Sequence, residues 1–257
     1  MMKEALGLDS QGRRQLVGGL LNVSIEMKSP SKPHVWRPWE TILKRDAVCP
    51  RCQLDQSVYG LAVWCADCGV DIFSTHILGE INVVRAMLAD VPRRRDLLGE
   101  RAAAKDVENA LEDLVSVFEA VLKIDLQRFM RLHGVLDSEV DTRMRRIGSR
   151  MQSVSSAEAI VPDHCNGTQL FSGAAVLQGL DLVFQKRHPI THNLGVIDRK
   201  YLDRVRNGEV EGREVRVEPE EVQQAAHVVF LVLEDLHVRL FPDSVKAAGP
   251  PPLSTKP

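Results

Sequence analysis

Four of the five cysteines in this 257-residue sequence lie in two short pairs. The pairs are Cys49-Pro-Arg-Cys52 and Cys65-Ala-Asp-Cys68, and twelve residues separate one pair from the other. Two such turns can place four thiolates around one tetrahedral zinc ion, at about 2.3 Å from the metal. Because the protein would supply all four ligands, no position would remain open for a substrate. The spacing therefore predicts a structural zinc site with Cys49, Cys52, Cys65 and Cys68 as ligands.

The residues around these pairs are typical of a small β module. Val58 to Trp64 is predicted to form a strand that leads into the second pair, and Val70 to Phe73 is predicted to form another. This pattern resembles a zinc ribbon. A redox pair is the alternative, but one pair would suffice for that role and no βαβ pattern surrounds either. Since so small a module buries too little surface to fold alone, we expect zinc to supply its stability.

Two other residues with metal-binding side chains lie outside this pattern. His76 follows the second pair and is not expected to be a ligand. Cys165 has no partner in the sequence and is expected to be a buried thiol. Cysteines used in this way suit a reducing compartment rather than a disulfide framework, so we expect a cytoplasmic protein.

The composition limits the kind of surface that the chain can present. Apolar residues make up 44% of the sequence, which is enough for a core, but aromatic residues make up only 5%, so aliphatic side chains must fill it. The net charge of −2 argues against a uniformly basic nucleic-acid-binding protein, so any such surface must be local. No apolar run reaches the length of a membrane span, and the first residues lack a signal-peptide pattern.

Beyond the cysteine pairs the apolar residues recur at helical spacing. A short helix around Ile81 to Leu88 is predicted to end near Pro92, and a long helix is predicted to end at Gly134. A third is predicted over residues 137–152, followed by a mixed segment that ends in a loop, 153–168. The last helix is predicted to begin at Glu218-Pro219, and its buried stripe comprises Val222, Ala225, Ala226, Val229, Leu233, Leu236 and Leu240.

These patterns predict a mainly α protein, in which a helical bundle is preceded by a small zinc-ribbon module. We divide the chain into an N-terminal segment and linker at 1–40, the zinc ribbon at 41–78, the helical bundle at 79–245 and a disordered tail at 246–257.

Two clusters of arginines lie in the bundle, and each is either a solvated helix face or a contact to phosphates. They are Arg93, Arg94 and Arg95, and then Arg143, Arg145, Arg146 and Arg150.

A second motif follows an amphipathic helix whose apolar stripe comprises Leu170, Ala174, Leu177, Leu180 and Phe184. Pro189 is predicted to break this helix at His188, and Gly195 to end a second turn. Arg187 can bind a phosphate through two hydrogen bonds, and His192 can move a proton near neutral pH. Together they suit attack of an RNA 2′-hydroxyl on the neighbouring phosphate, which needs no metal. The alternative is a basic helix end that complements the helix dipole.

The run Arg187-His-Pro-Ile-Thr-His192-Asn-Leu-Gly-Val-Ile-Asp198, in its helical context, resembles the motif of the HEPN superfamily. The resemblance covers roughly residues 100–242. It implies a compact helical bundle that forms a homodimer with both motifs in one cleft, and a metal-independent endoribonuclease. It also implies that Arg187 and His192 are catalytic, and that His188 and Asn193 support the motif or bind the phosphate. A role as a toxin or antiphage defence effector, with a regulatory partner protein or antitoxin, follows from the resemblance alone.

Two other functions remain open at this point. The first is a non-catalytic HEPN-like module that binds RNA, a nucleotide or another protein, in which Arg187 and His192 hold a ligand's phosphate or pair with acids. The second is a zinc-ribbon DNA-binding regulator. The near-neutral charge and the lack of a recognisable recognition helix count against it.

Overall fold

The computed structural model describes residues 45–58, 60–205 and 208–242, and most of these residues are helical. The predicted segments 1–40 and 246–257 lie outside the described residues. The elements are, in chain order, β1 (Arg45–Val48), β2 (Asp55–Val58), α1 (Phe73–Leu98), α2 (Glu100–Leu132), α3 (Asp137–Ile147), a 3₁₀ turn (Arg150–Gln152), α4 (Val154–His164), α5 (Ala174–Gln185), α6 (Arg187–Asn193), α7 (Arg199–Arg204) and α8 (Pro219–Leu240). The prediction of a mainly α protein is confirmed.

The strands lie earlier in the chain than the sequence pattern predicted. β1 and β2 form an antiparallel hairpin in which Val48 pairs with Asp55, and the first cysteine pair closes the turn between them. Of the predicted strand from Val58 to Trp64, Val58 belongs to β2, but the described residues 60–63 form no strand and Trp64 makes a single bridge with Asp71. The predicted strand over Val70 to Phe73 is also wrong, because α1 already begins at Phe73. The second cysteine turn ends at Val70 and α1 begins at Phe73, so too few residues remain after this turn for the second strand of a hairpin.

Helices α1 and α2 form the long hairpin on which the bundle is built. Only Gly99, with a φ of +89°, separates them, and a left-handed glycine allows the chain to reverse there. The prediction that Pro92 ends the first helix is wrong, because α1 continues through it to Leu98. Val91 is buried in the core and Arg94 forms an ion pair with Asp106 of α2, so contacts between the two helices outweigh the one hydrogen bond that the proline removes.

The core lies between α1, α2 and α8, with α5 packed on α8. Every residue of the predicted stripe of α8 is buried, and Pro219 occupies its first turn as predicted. The predicted long helix corresponds to α2, which runs to Leu132 just before Gly134. The core is mainly aliphatic, in agreement with the low aromatic content, and its largest fully buried side chains include Tyr201, Phe73, Phe118, Leu111, Leu122 and Met151.

The middle of the chain differs from the prediction in two places. The predicted helix over 137–152 ends at Ile147, because Gly148 adopts a φ of +54° and the chain then forms only a 3₁₀ turn. The segment predicted as mixed contains α4, which Ser153 caps by accepting a hydrogen bond from the N–H of Ser156. Pro162 lies inside this helix rather than in the following loop.

A buried polar cluster joins the segment after the second cysteine pair to α2 and α8. His237 is fully buried, and its Nδ1 lies 2.9 Å from Asp125 Oδ1 and its Nε2 3.2 Å from Asp71 Oδ2. Arg128 donates to the same oxygen of Asp71 at 2.9 Å, and its guanidinium lies over the ring of Phe241. The cluster thus places two basic groups beside two carboxylates, and this balance is what permits their burial.

The ionisation of this cluster follows from competing effects. Burial alone would lower the pKa of His237, but hydrogen bonds to Asp125 and Asp71 outweigh it and raise the pKa to about 9. Burial also raises the pKa of Asp125, so the two partners compete for one proton. Because His237 lies between two carboxylates, the imidazolium form is the favoured one.

Among the described helices none is long and apolar enough to cross a membrane.

Candidate functional site

The four paired cysteines meet at one point, as predicted from their spacing. The ligand sulfurs of Cys49, Cys52, Cys65 and Cys68 all lie within 4.8 Å of one another. The Sγ atoms of Cys49 and Cys68 are 3.6 Å apart, and those of Cys52 and Cys65 are 3.5 Å apart. Four sulfurs in a tetrahedron at about 2.3 Å from a metal would be about 3.8 Å apart. The cluster is therefore compatible with a bound metal ion.

Two equivalent turns hold these thiols. In the first turn, the N–H of Cys49 donates to the carbonyl of Leu54, and the N–H of Gln53 donates back to the carbonyl of Cys49. In the second turn, Cys65, Val70 and Gly69 repeat the same pair of hydrogen bonds. Gln53 and Gly69 occupy the same place and both have a positive φ, of 62° and 66°. The two halves of the site thus share one backbone design.

The other two residues with metal-binding side chains have structural surroundings. His76 is buried and its Nδ1 accepts a hydrogen bond from the N–H of Ala62 at 2.7 Å, and it lies outside the cysteine cluster, as predicted. Cys165 is fully buried, as predicted, and burial raises the pKa of its thiol to about 12. Neither side chain is placed for chemistry at the surface.

The second predicted site lies on α6, which begins one residue after α5 ends. The break falls at Lys186 rather than at the predicted His188, since Pro189 lacks the N–H that would bond to the carbonyl of Gln185. Lys186 fixes this corner by donating to both carboxylate oxygens of Glu221 at 2.7 Å. Gly195 ends the turn as predicted, with a φ of +86° and a hydrogen bond to the carbonyl of Pro189.

One face of α6 carries two histidines that lie close together. The ring centroids of His188 and His192 are 5.0 Å apart, as expected for residues one helical turn apart. Asp198 Oδ2 accepts a hydrogen bond from Asn193 at 2.7 Å and lies 3.9 Å from His188 Nε2. Burial and the nearby charge of Lys200 lower the pKa of His188, so its imidazole is neutral near pH 7. His192 is exposed to solvent.

Arg187 lies on a different side of the same helix. It donates to the side-chain oxygen of Gln152 at 2.8 Å, and Gln152 in turn donates to Glu119 at 2.7 Å. Among the described residues Arg187 has no ion pair with a carboxylate, and its buried Nε has no hydrogen-bond partner. His192 lies five positions after Arg187, which places the two residues about 140° apart around the helix axis. Within one chain His188 therefore lies beside His192 and, through Asp198, near Asn193, whereas Arg187 lies on a different side of α6 from His192.

The arginine clusters divide between paired and unpaired residues. Arg93 forms a bidentate ion pair with Asp90, and Arg94 forms an ion pair with Asp106. In the second cluster Arg143 pairs with Glu139 on the same helix, whereas Arg146 and Arg150 have no carboxylate partner among the described residues. Sequence reasoning missed Gln152, because it lies 35 positions before Arg187 and no local pattern signals their contact.

Comparisons of this chain with protein-family models, with curated proteins and with solved structures found no match. The functional assignment therefore rests on the geometry of the cysteine cluster and of α6.

Proposed function

We propose that this protein is a metal-independent endoribonuclease of the HEPN type that acts as a homodimer. The observation that carries the proposal is the face of α6 on which a neutral His188 and an exposed His192 lie together beside Asp198 and Asn193. The imidazole of His192 can accept a proton and return it, while His188 and Asn193 can orient the motif or hold the phosphate. RNA cleavage through its own 2′-hydroxyl needs such groups and a cation, and it needs no redox chemistry.

Arg187 is the cation in this proposal. Its guanidinium donates to the neutral amide of Gln152 and has no carboxylate partner among the described residues. A bound phosphate would therefore be its anionic partner. Since Arg187 and His192 lie on different sides of α6, a homodimer would complete each site by placing the Arg187 of one protomer near the His192 of the other. This arrangement gives a physical reason for dimerisation beyond the family resemblance.

The reaction proceeds by displacement at one phosphorus atom. His192 takes the proton of the 2′-hydroxyl, and the 2′-oxygen forms a bond to phosphorus while the bond to the 5′-oxygen breaks. Arg187 stabilises the negative charge that develops on the phosphate oxygens. His192, which now carries that proton as an imidazolium, returns it to the departing 5′-oxygen, and His188 and Asn193 hold the motif and the phosphate in place. The products are a 2′,3′-cyclic phosphate and a 5′-hydroxyl.

The metal takes no part in this reaction. We infer that Cys49, Cys52, Cys65 and Cys68 hold zinc in a ribbon-like module, because four thiolates at tetrahedral spacing suit zinc and leave no open position. The ion would stabilise the segment that leads into α1. The five cysteines form no disulfide, which fits a reducing cytoplasm. The toxin or antiphage setting, with a regulatory partner protein or antitoxin, is part of the proposal and rests on resemblance alone.

The test is incubation of the purified protein with labelled RNAs in the absence of added divalent metal. We expect products that end in 2′,3′-cyclic phosphate, and we expect Arg187→Ala and His192→Ala each to abolish them while the circular dichroism spectrum and the sedimentation of the dimer stay unchanged. Matched controls are Arg101→Ala and His227→Ala, which alter exposed residues of α2 and α8. Full cleavage by either motif variant, or products with 3′-hydroxyl ends, would reject the mechanism.

A non-catalytic module that binds RNA, a nucleotide or a partner protein is the second candidate. The observation that favours it is the hydrogen bond from Arg187 to Gln152, which anchors the guanidinium away from His192 within one chain. Under this function the wild-type protein binds labelled RNA but leaves it intact, and Arg187→Ala weakens binding without any effect on RNA integrity. Measuring binding and cleavage on the same samples separates the two candidates.

A further inference from the structure

A cleft of about 760 Å³ lies between α3 and α4, and no residue of α6 lines it. The basic groups that line it come from both elements and from the 3₁₀ turn between them. They are Arg143, Arg146, Arg150 and His164. Buried Ile147 and Ile160 line the same cleft. The cleft therefore combines a positive rim with an apolar floor.

The charges of this cleft are only partly neutralised. Glu139 pairs with Arg143, and Asp163 also lines the cleft, but Arg146 and Arg150 have no carboxylate partner among the described residues. His164 has a buried Nδ1 that has no hydrogen-bond partner there either. A buried polar atom without a partner is costly unless a ligand or water supplies one. The group that would satisfy all three side chains is an anion with several acceptor oxygens.

The same cleft is linked to Arg187 through the 3₁₀ turn. Arg150 begins this turn and Gln152 ends it, so their Cα atoms are at most about 7 Å apart. Gln152 is the residue that accepts the hydrogen bond from Arg187. Met151, between them, is fully buried and fixes the turn against the core. One rigid turn thus carries a cleft arginine at one end and positions the motif arginine at the other.

We propose that the cleft between α3 and α4 binds backbone phosphates of the same RNA strand whose scissile phosphate lies at Arg187. This inference rests on the proposed function for the identity of the strand. The phosphate contacts that it requires do not depend on cleavage of the RNA. Arg146 and Arg150 each contact a phosphate, and His164 donates to one of their oxygens. Burial and the charge of Arg143 lower the pKa of His164, and a bound phosphate would reverse that effect.

The experiment measures binding of a fully 2′-O-methylated, fluorescein-labelled single-stranded RNA, which lacks the nucleophile for cleavage. The full chain is compared with Arg146→Ala/Arg150→Ala, and with Arg101→Ala/Arg131→Ala as a control that removes two exposed arginines outside the cleft and outside both arginine clusters. Each phosphate contact contributes about 0.7 to the slope of log K against log salt for a single strand. We therefore expect the slope of the cleft variant to fall by about 1.4 and that of the control to remain the same.

The outcomes distinguish this inference from the proposed function. An unchanged slope in the cleft variant, at an unchanged unfolding midpoint, overturns the inference even if the wild-type protein cleaves RNA. A reduced slope supports it even if no cleavage occurs, in which case only the nuclease proposal fails. Inorganic pyrophosphate is the probe for a free phosphate ligand. If the cleft variant loses pyrophosphate binding while its RNA binding is unchanged, the inference of an RNA contact is overturned.

Discussion

The buried cluster of Asp71, Asp125, Arg128 and His237 makes a prediction about stability that can be worked out from its geometry. His237→Leu removes the only hydrogen-bond donor within reach of the Asp125 side chain among the described residues, and that side chain has no exposure to solvent. Removing one partner of a buried ion pair costs about 3–5 kcal/mol, because the carboxyl group of Asp125 would then have no hydrogen-bond donor and no access to water. We expect His237→Leu to lower the free energy of unfolding by this amount.

The double variant Asp125→Leu/His237→Leu provides the decisive comparison. It removes both members of the pair, while Asp71 keeps the ion pair with Arg128 and the hydrogen bond from the N–H of Phe73. Replacement of a whole buried pair by apolar residues is often neutral, so the double variant should recover at least about 2 kcal/mol relative to His237→Leu. Asp125→Leu alone should cost about 1–3 kcal/mol, because His237 retains its contact with Asp71.

Urea unfolding at pH 7, followed by far-ultraviolet circular dichroism in the presence of zinc and a reductant, measures these values. The cycle of four proteins gives the coupling between the two positions directly. A cost below about 1 kcal/mol for His237→Leu would contradict the reasoning. So would a double variant whose loss equals the sum of the single losses, because the two groups would then act independently.

Three further predictions concern the pH dependence of this cluster, the metal site and the hydrogen bond that holds Arg187. Because the pKa of His237 is raised from 6.5 to about 9, its contribution to the free energy of unfolding is complete below pH 6.5 and is lost as the pH rises through 9. The stability of the wild type relative to the double variant should therefore fall by about 3 kcal/mol between pH 6.5 and about pH 10. Cys65→Ser should abolish stoichiometric zinc in elemental analysis and lower the unfolding midpoint, whereas Cys165→Ser should retain the metal. Gln152→Glu places a carboxylate against Arg187 and should lower RNA cleavage at least about tenfold, whereas exposed Gln223→Glu should not.

Local signals predicted those parts of the fold in which neighbouring residues decide the outcome. Proline in the first turn and an unbroken apolar stripe were enough to place α8. Aspartate is a residue type that often caps helices, and Asp198 accepts a hydrogen bond from the N–H of Tyr201 at the start of α7. The spacing of the cysteines was enough to bring four thiols together. In each of these cases the chemistry depends on residues a few positions apart.

The predictions failed where distant contacts overrode a local preference. Pro92 would end an isolated helix, but the packing of α1 on α2 carries the helix through it. The strands near the cysteines lie at 45–48 and 55–58 because the first cysteine turn joins them, a pairing that the alternation of residues did not reveal. The orientation of Arg187 depends on Gln152, which is 35 positions away, and the histidine pair on α6 emerged only once the helix register was known.

The matching hydrogen bonds around the two cysteine pairs also indicate where this module can change in evolution. Each cysteine turn is closed by a hydrogen bond from the N–H of its first cysteine to the carbonyl of the residue five positions later. Neither turn therefore depends on the length of the chain between them. Gly60 is exposed in that intervening segment, and a side-chain carbon added there would meet no neighbouring atom. Extra residues inserted at this point would lengthen a surface loop and leave the sulfur atoms where they are, which makes it a natural place for related sequences to diverge.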